Sequence, residues 1–207
     1  SVNIVYSGAT NGWIPIEDDT VTDAPVAPSA NQEGIFGFGD DGSVTAVTNL
    51  VSNTGVVGTD VTGVGTARVT AAACEYGNDK GIFGGGASGA TKLGMTNLVS
   101  SSGVVASDVT AVMTARLALA AATYGGDKGI FGFGVLQSGS YTAATNLVSN
   151  AGVVATDTTG VGTVRGYLGA CEYSSNKDKA IFGFGAGSIL SMTNLVSNTG
   201  VVATDTT

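Results

Sequence analysis

Histidine is absent from these 207 residues, and with it the usual general base and the commonest metal ligand. That excludes Ser-His-Asp and Cys-His catalysis. Charge is scarce as well: 12% of residues are charged, and 8 scattered Lys and Arg face 16 Asp and Glu, a net charge of −8. Phosphate neutralisation needs clustered bases, so the balance argues against a nucleic-acid binder. No run of about eighteen apolar residues occurs, so neither a transmembrane helix nor membrane insertion is expected, and the N-terminus lacks the basic and apolar regions of a signal peptide. Cysteine is limited to Cys74 and Cys171, which hold the same position in units two apart. Equivalent sites on separate units should lie beyond the roughly 7 Å Cα limit for a disulfide, so both are expected as small buried apolar residues.

What the chain has in excess is glycine, 33 residues, beside an apolar fraction of 43% that suffices for a core. The stretch GFGDDG at 37–42 fits the phosphate-loop pattern G-x-G-x-x-G, but it is one copy of a recurring element. GIFGFG at 34–39 returns as GIFGGG at 81–86, GIFGFG at 129–134 and AIFGFG at 180–185, steps of 47, 48 and 51 residues. TNLVS follows at 48–52, 96–100, 145–149 and 193–197, then GVV, an Asp (Asp60, Asp108, Asp157, Asp205) and TAR or TVR ending in Arg68, Arg116 or Arg165. A phosphate loop occurs once and opens a helix, whereas β-type sequence follows here, so the glycines are structural.

Strand and turn signals predict four short antiparallel strands per unit. Between Val69 and Val109 these are 69–76, 81–86, a strand around 95–100 and a fourth starting at Val104-Val105-Ala106, with Gly77-Asn78-Asp79-Lys80 as the first hairpin turn. Alternation in GIFGFG predicts that Phe36 and Phe38 share one face while Ile35, Gly37 and Gly39 share the other, so that rings of one sheet sit over glycines of its neighbour. The equivalent rings are Phe83, Phe131, Phe133, Phe182 and Phe184; Gly85 replaces one of them, and Met95 or Leu93 is expected to fill that space. The fold class expected is all-β, from four-stranded repeats of about 48 residues.

The segment TARVTAAACEYGNDKGIFGGG, 66–86, resembles the kelch repeat: an Arg before a small-residue strand, a turn, and an apolar strand closing in glycines. Val-Val stands where the kelch Trp would, and Gly-Phe-Gly replaces the paired glycines in three copies. The resemblance covers residues 34–207 and implies a kelch-like β-propeller, with units beginning near 34, 81, 129 and 180. The lack of histidine removes the copper site of oxidases built on such propellers. A usual ring needs about six or seven units, so further repeats beyond Thr207, other subunits or a four-bladed closure using the N-terminal segment would complete it; further repeats are the favoured expectation. The start at Ser1 without methionine and the stop at Thr207 inside a unit mark the repeat counts as minima.

Residues 1–33 differ in composition: they hold all three prolines (Pro15, Pro25, Pro28), the single Trp13 and acids without any base. DDTVTDAPVAPSANQE reads as an extended linker and NIVYSGATNGWIPIEDD as a small β-element or anchor. The NGWIPIEDD leader joined to near-identical TNLVSNTGVVATDTT and GDKGIFGFG repeats is similar to predicted structural and fibre-type proteins of bacteriophages, particularly marine ones. That resemblance implies a structural or adhesive component of a virion, at the particle surface, with other virion proteins or copies of itself as partners.

Residues that recur in every unit serve structure better than chemistry. Arg68, Arg116 and Arg165 are expected to brace loop carbonyls, and Asp79, Asp127 and Asp178 to cap their own turns. Glu17-Asp18-Asp19 and Asp40-Asp41 lack the alternating spacing of a calcium loop and read as solvated acids. Neither a cofactor nor an enzymatic activity is expected. The alternative is a carbohydrate-binding propeller using the variable loops 40–47, 87–95, 135–144 and 186–192 against a host-surface glycan, for which Gln137 and Tyr141 are candidate contacts, as Trp13 is for a protein partner.

Overall fold

Small residues flanking β-branched and aromatic ones, with glycine at most turns, dictate short strands and tight reversals. The computed structural model describes residues 4–6, 8–10, 12–15, 32–110, 112–176, 178–187 and 191–207. Among these every regular element is a strand, and no helix is long and apolar enough to cross a membrane. The chain divides into two units, Ser1–Gln32 and Glu33–Thr207.

In the first unit, β1 (Ile4–Tyr6) pairs antiparallel with β2 (Trp13–Pro15), setting Tyr6 opposite Trp13. Their rings tilt together with centroids 5.3 Å apart. The linker with Pro25 and Pro28, and the acids Glu17, Asp18 and Asp19, lie outside the described residues.

The second unit is a succession of small antiparallel sheets. The first holds β3 (Gly34–Asp40) and β4 (Val44–Val51). The second holds β5 (Ala72–Tyr76) and β6 (Lys80–Gly84), followed by a separate hairpin of β7 (Ala87–Ser88) and β8 (Thr91–Lys92) before β9 (Thr96–Val99) returns to pair with β6. The third contains β10 (Arg116–Leu117), β11 (Ala120–Tyr124), β12 (Lys128–Leu136) and β13 (Tyr141–Val148). The fourth is β14 (Gly169–Tyr173), β15 (Lys179–Gly183) and β16 (Thr193–Val196), side by side in chain order.

The fourth strand of each sheet is thinner than its sequence suggests. It is held by two isolated bridges: Val51 to Val57 and Thr48 to Val61, then Val99 to Val105 and Thr96 to Val109, Val148 to Val154 and Thr145 to Thr158, and Val196 to Val202 and Thr193 to Thr206. The reason is a side chain in the ladder. Between the two bridges the carbonyl of Ala106 accepts from the side-chain amide of Asn97 at 3.0 Å, and Asn146 does the same to Ala155.

The alternation expected in GIFGFG also breaks, at a β-bulge. Pairing of β3 with β4 shifts between Gly37 and Gly39, and Phe38 there takes φ 65°; Phe133 repeats this at φ 62° between Gly132 and Gly134. A left-handed phenylalanine costs about 1–3 kcal/mol. The turn swings the second ring off the face of Phe36 onto the face of Gly37, where Phe38 meets Phe83 of the next sheet edge-on at 5.2 Å. Phe133 meets Phe182 in the same way at 5.2 Å.

Successive sheets therefore stack ring on glycine, and the core lies between them. A methyl group built on Gly37, Gly84 or Gly132 would lie 3.0, 2.7 or 2.8 Å from the ring of Phe83, Phe131 or Phe182 respectively. Only glycine lets these sheets approach so closely, and each ring so buried contributes roughly 1.5–3 kcal/mol. Where Gly85 replaces the second ring, the space beside it is taken by the buried side chain of Leu119 rather than by Met95 or Leu93. Leu93 and Met95 contribute carbonyls instead, accepting from Arg116 and Gly85 at 3.1 Å each.

Candidate functional site

Each junction between sheets is closed by one buried arginine. Arg68, Arg116 and Arg165 are all fully buried. Nη2 donates to Oδ1 of Asn97 on β9, Asn146 on β13 or Asn194 on β16 at 2.5, 2.5 and 2.6 Å. The same asparagines donate from Nδ2 to Asp108, Asp157 and Asp205 at 2.9, 2.8 and 3.0 Å. Those carboxylates also accept from Thr66, Thr114 and Thr163, and lie 3.5–3.7 Å from the guanidinium Nη1. Arg68 lies flat 3.8 Å over the Phe38 ring and Arg165 4.1 Å over Phe133, so each cation is held between an aromatic face and an amide. Arg116 faces Gly85, where the ring is absent.

Burial pulls the Arg68 guanidinium down to about 10, with Asp108 opposing the shift, and the side chain stays charged at neutral pH. Burial would raise the carboxyls of Asp108, Asp157 and Asp205, but the Thr and Asn hydrogen bonds and the nearby arginine outweigh it and hold all three below the ordinary value. Nε of Arg165 donates to the Phe184 carbonyl at 2.9 Å, whereas Nε of Arg68 and of Arg116 has no partner among the described residues; the other polar contacts of this network rigidify each junction. The network has no open coordination position and no free nucleophile.

The hairpin aspartates link neighbouring turns through their backbone. The carbonyl of Asp127 accepts from Gly77 N–H at 2.8 Å and that of Asp178 from Gly125 at 2.7 Å, each reaching back one sheet. Their side chains find partners close by: Asp79 pairs with Lys80, Asp127 with Lys128 at 2.6 Å, and Asp178 accepts from Ser174 at 2.5 Å, while Asp127 also accepts from the Asn150 amide at 3.0 Å. Asp40 and Asp41 accept from the backbone of Gly42 and Ser43, and among the described residues no three His, Cys, Asp or Glu side chains converge.

The remaining candidates separate. Gln137 accepts from Lys92 N–H at 2.8 Å and donates to the Ala90 carbonyl at 3.2 Å, so its amide ties the third sheet's loop to the β7–β8 hairpin. Tyr141 is half-buried over Gly166 and Gly187. Trp13 is 67% exposed beside Tyr6. Phe83, Phe131, Phe133 and Phe182 are buried, while Phe36 and Phe184 stand 66% and 64% exposed. The cysteines differ too: the Cys74 sulfur is enclosed against Gly129 of the third sheet, which pushes its thiol up to about 12, whereas Cys171 is exposed because no sheet covers β14.

Sequence reasoning passed over Asn97, Asn146 and Asn194, although a polar residue in the middle of every TNLV strand is a signal of its own. It also passed over the outer row Val56, Val104, Val153 and Val201, which recurs in all four sheets at 64–67% exposure. A cleft of about 230 Å³ beside this row is lined by Leu98, Val109, Val112 and Val153 among others. No family model matches the chain, and no curated protein is significantly similar to it.

Proposed function

We propose that this chain is a structural and adhesive module of a bacteriophage virion, in which the stacked sheets are blades of a kelch-like β-propeller and act by surface contact. The observation that carries this reading is how the recurring residues are used. Every recurring arginine, with its asparagine and aspartate, is engaged in bonding within the stack of sheets, whereas the side chain that every unit presents outward is a valine. A repeated apolar row on an otherwise Ser-, Thr- and Gly-rich surface suits contact with neighbouring proteins at fixed spacing. The propeller reading draws on the adjacency of the leading strands: Ala118 N–H donates to the Thr70 carbonyl at 3.3 Å and Tyr167 N–H to Ala118 at 2.9 Å, tying successive sheets along one edge.

The test is mass spectrometry of particles purified from a phage that encodes the chain. Recovery at a fixed stoichiometry to the capsid protein is expected, and a Val104→Asp, Val153→Asp double variant should fold but be incorporated poorly. Particles of full composition and infectivity without the chain would reject the reading.

A further inference from the structure

Each internal junction is a reciprocal fit of two kinds. A ring from the later sheet sits on a glycine of the earlier one: Phe83 on Gly37, Phe131 on Gly84, Phe182 on Gly132. In return a leucine of the earlier sheet sits on a turn glycine of the later one: Leu50 on Gly103, Leu98 on Gly152, Leu147 on Gly200, the last two joined by Tyr76 and Tyr124.

The two outer faces carry the unmatched halves of this same joint. On the first sheet Phe36 is 66% exposed, and no atom of the described residues lies within 4 Å of a methyl group built on Gly55. On the fourth sheet the only atom of the described residues near a methyl group built on Gly183 is Cγ2 of Thr193 at 3.5 Å, while Phe184, Leu195 and Tyr173 are 64%, 43% and 37% exposed. What one face lacks the other has in surplus.

We propose that a second copy of this chain covers these faces head to tail. Phe36 of one copy seats on Gly183 beside Phe184 of the next, and Leu195 and Tyr173 of that copy seat on Gly55. The complementarity is already realised three times within the chain, which is what singles out another copy over an unrelated partner. Such a contact joins unlike surfaces, so it closes into a ring or grows as a filament according to the rotation per copy. Asn49 and Asp60 hold one another at 2.8 Å, and the three arginines are all committed elsewhere. The junction between copies thus rests on its apolar contacts and forms with rising concentration. The inference stands on the stacking geometry and is independent of the virion reading.

Sedimentation velocity over a concentration series is the test. The wild-type chain is expected to associate, and Phe36→Ser, at an exposed position, and Gly183→Val, at a half-buried one, are each expected to weaken association at least tenfold. Because each variant keeps one intact face, mixing the two restores a single junction and yields a one-to-one dimer that grows no further. A second readout uses the Cys74–Gly129 contact: Gly34→Cys places a thiol opposite Cys171 of the adjoining copy, and mild oxidation should give a covalent ladder that Cys171→Ser abolishes. A wild-type monomer at every concentration, association indifferent to Gly183→Val, or a mixture that fails to dimerise would overturn the proposal while leaving the virion reading intact.

Discussion

Nη2 of Arg116 donates to Oδ1 of Asn146 at 2.5 Å, a buried bond that joins β10 to β13 across the third sheet. Neither residue has another way to satisfy that site. Replacing Asn146 with Leu removes the acceptor and leaves the guanidinium buried, for which a loss of about 2–4 kcal/mol is expected in urea unfolding. The Arg116→Met, Asn146→Leu double variant should lose markedly less than the sum of the single changes.

Steric fit at the stacking glycines gives a matched pair of tests. In Gly132→Ala the new methyl meets the Phe182 ring at 2.8 Å, which should cost about 1–3 kcal/mol. Gly183→Ala meets only Thr193 at 3.5 Å, and in dilute solution its stability should stay within about 0.5 kcal/mol of wild type. Equal effects in thermal melts would contradict ring-on-glycine stacking.

Acid should loosen the junctions. The carboxyls of Asp108, Asp157 and Asp205 titrate below the ordinary aspartate value of 3.8 in the folded chain, held down against burial by the Thr and Asn hydrogen bonds and the nearby arginine. The unfolded chain then takes up protons first, so the stability these groups provide is complete above about pH 5 and drains away as pH falls through and below 3.8. Melting temperature measured between pH 7 and pH 2 should drop over that window, and Asp157→Asn should flatten the decline.

Thiol labelling reports which sheet face is covered. Dilute native protein should take one equivalent of a maleimide, at Cys171, while Cys74 reacts only after denaturation, since its thiol is enclosed and shifted to about 12. Peptide mapping that found Cys74 labelled first would contradict the stacking order.

The repeat register and the strand–turn alternation were legible because spacing and turn chemistry are local. The pairing of rings with glycines was legible in kind, but not the face of each ring. Phe38 and Phe133 escape the period of two because a bulge needs only one residue in a left-handed conformation, and the energy that holds it there comes from a neighbouring sheet, Phe83 or Phe182, 45 or 49 residues away. Asn97 and its equivalents were unreadable as junction residues for a like reason. Their partner arginine is 29 or 30 positions distant, and nothing local announces the bond. Cys171 differs from Cys74 only through what lies next to its sheet.

The bulge also partitions each unit. Between its glycines and the following TNLV strand the four copies differ in length, for TNLV begins 14, 15, 16 and 13 residues after GIFG or AIFG, at 48, 96, 145 and 193 against 34, 81, 129 and 180. On the near side, Arg68, Arg116 and Arg165 keep one arrangement with their asparagines and aspartates. A chain organised this way can lengthen, shorten or rewrite its distal loops, as the β7–β8 hairpin does, without disturbing the spacing on which its neighbours rely. Variation is thereby steered toward the rim, and the scaffold inherits it at no structural risk.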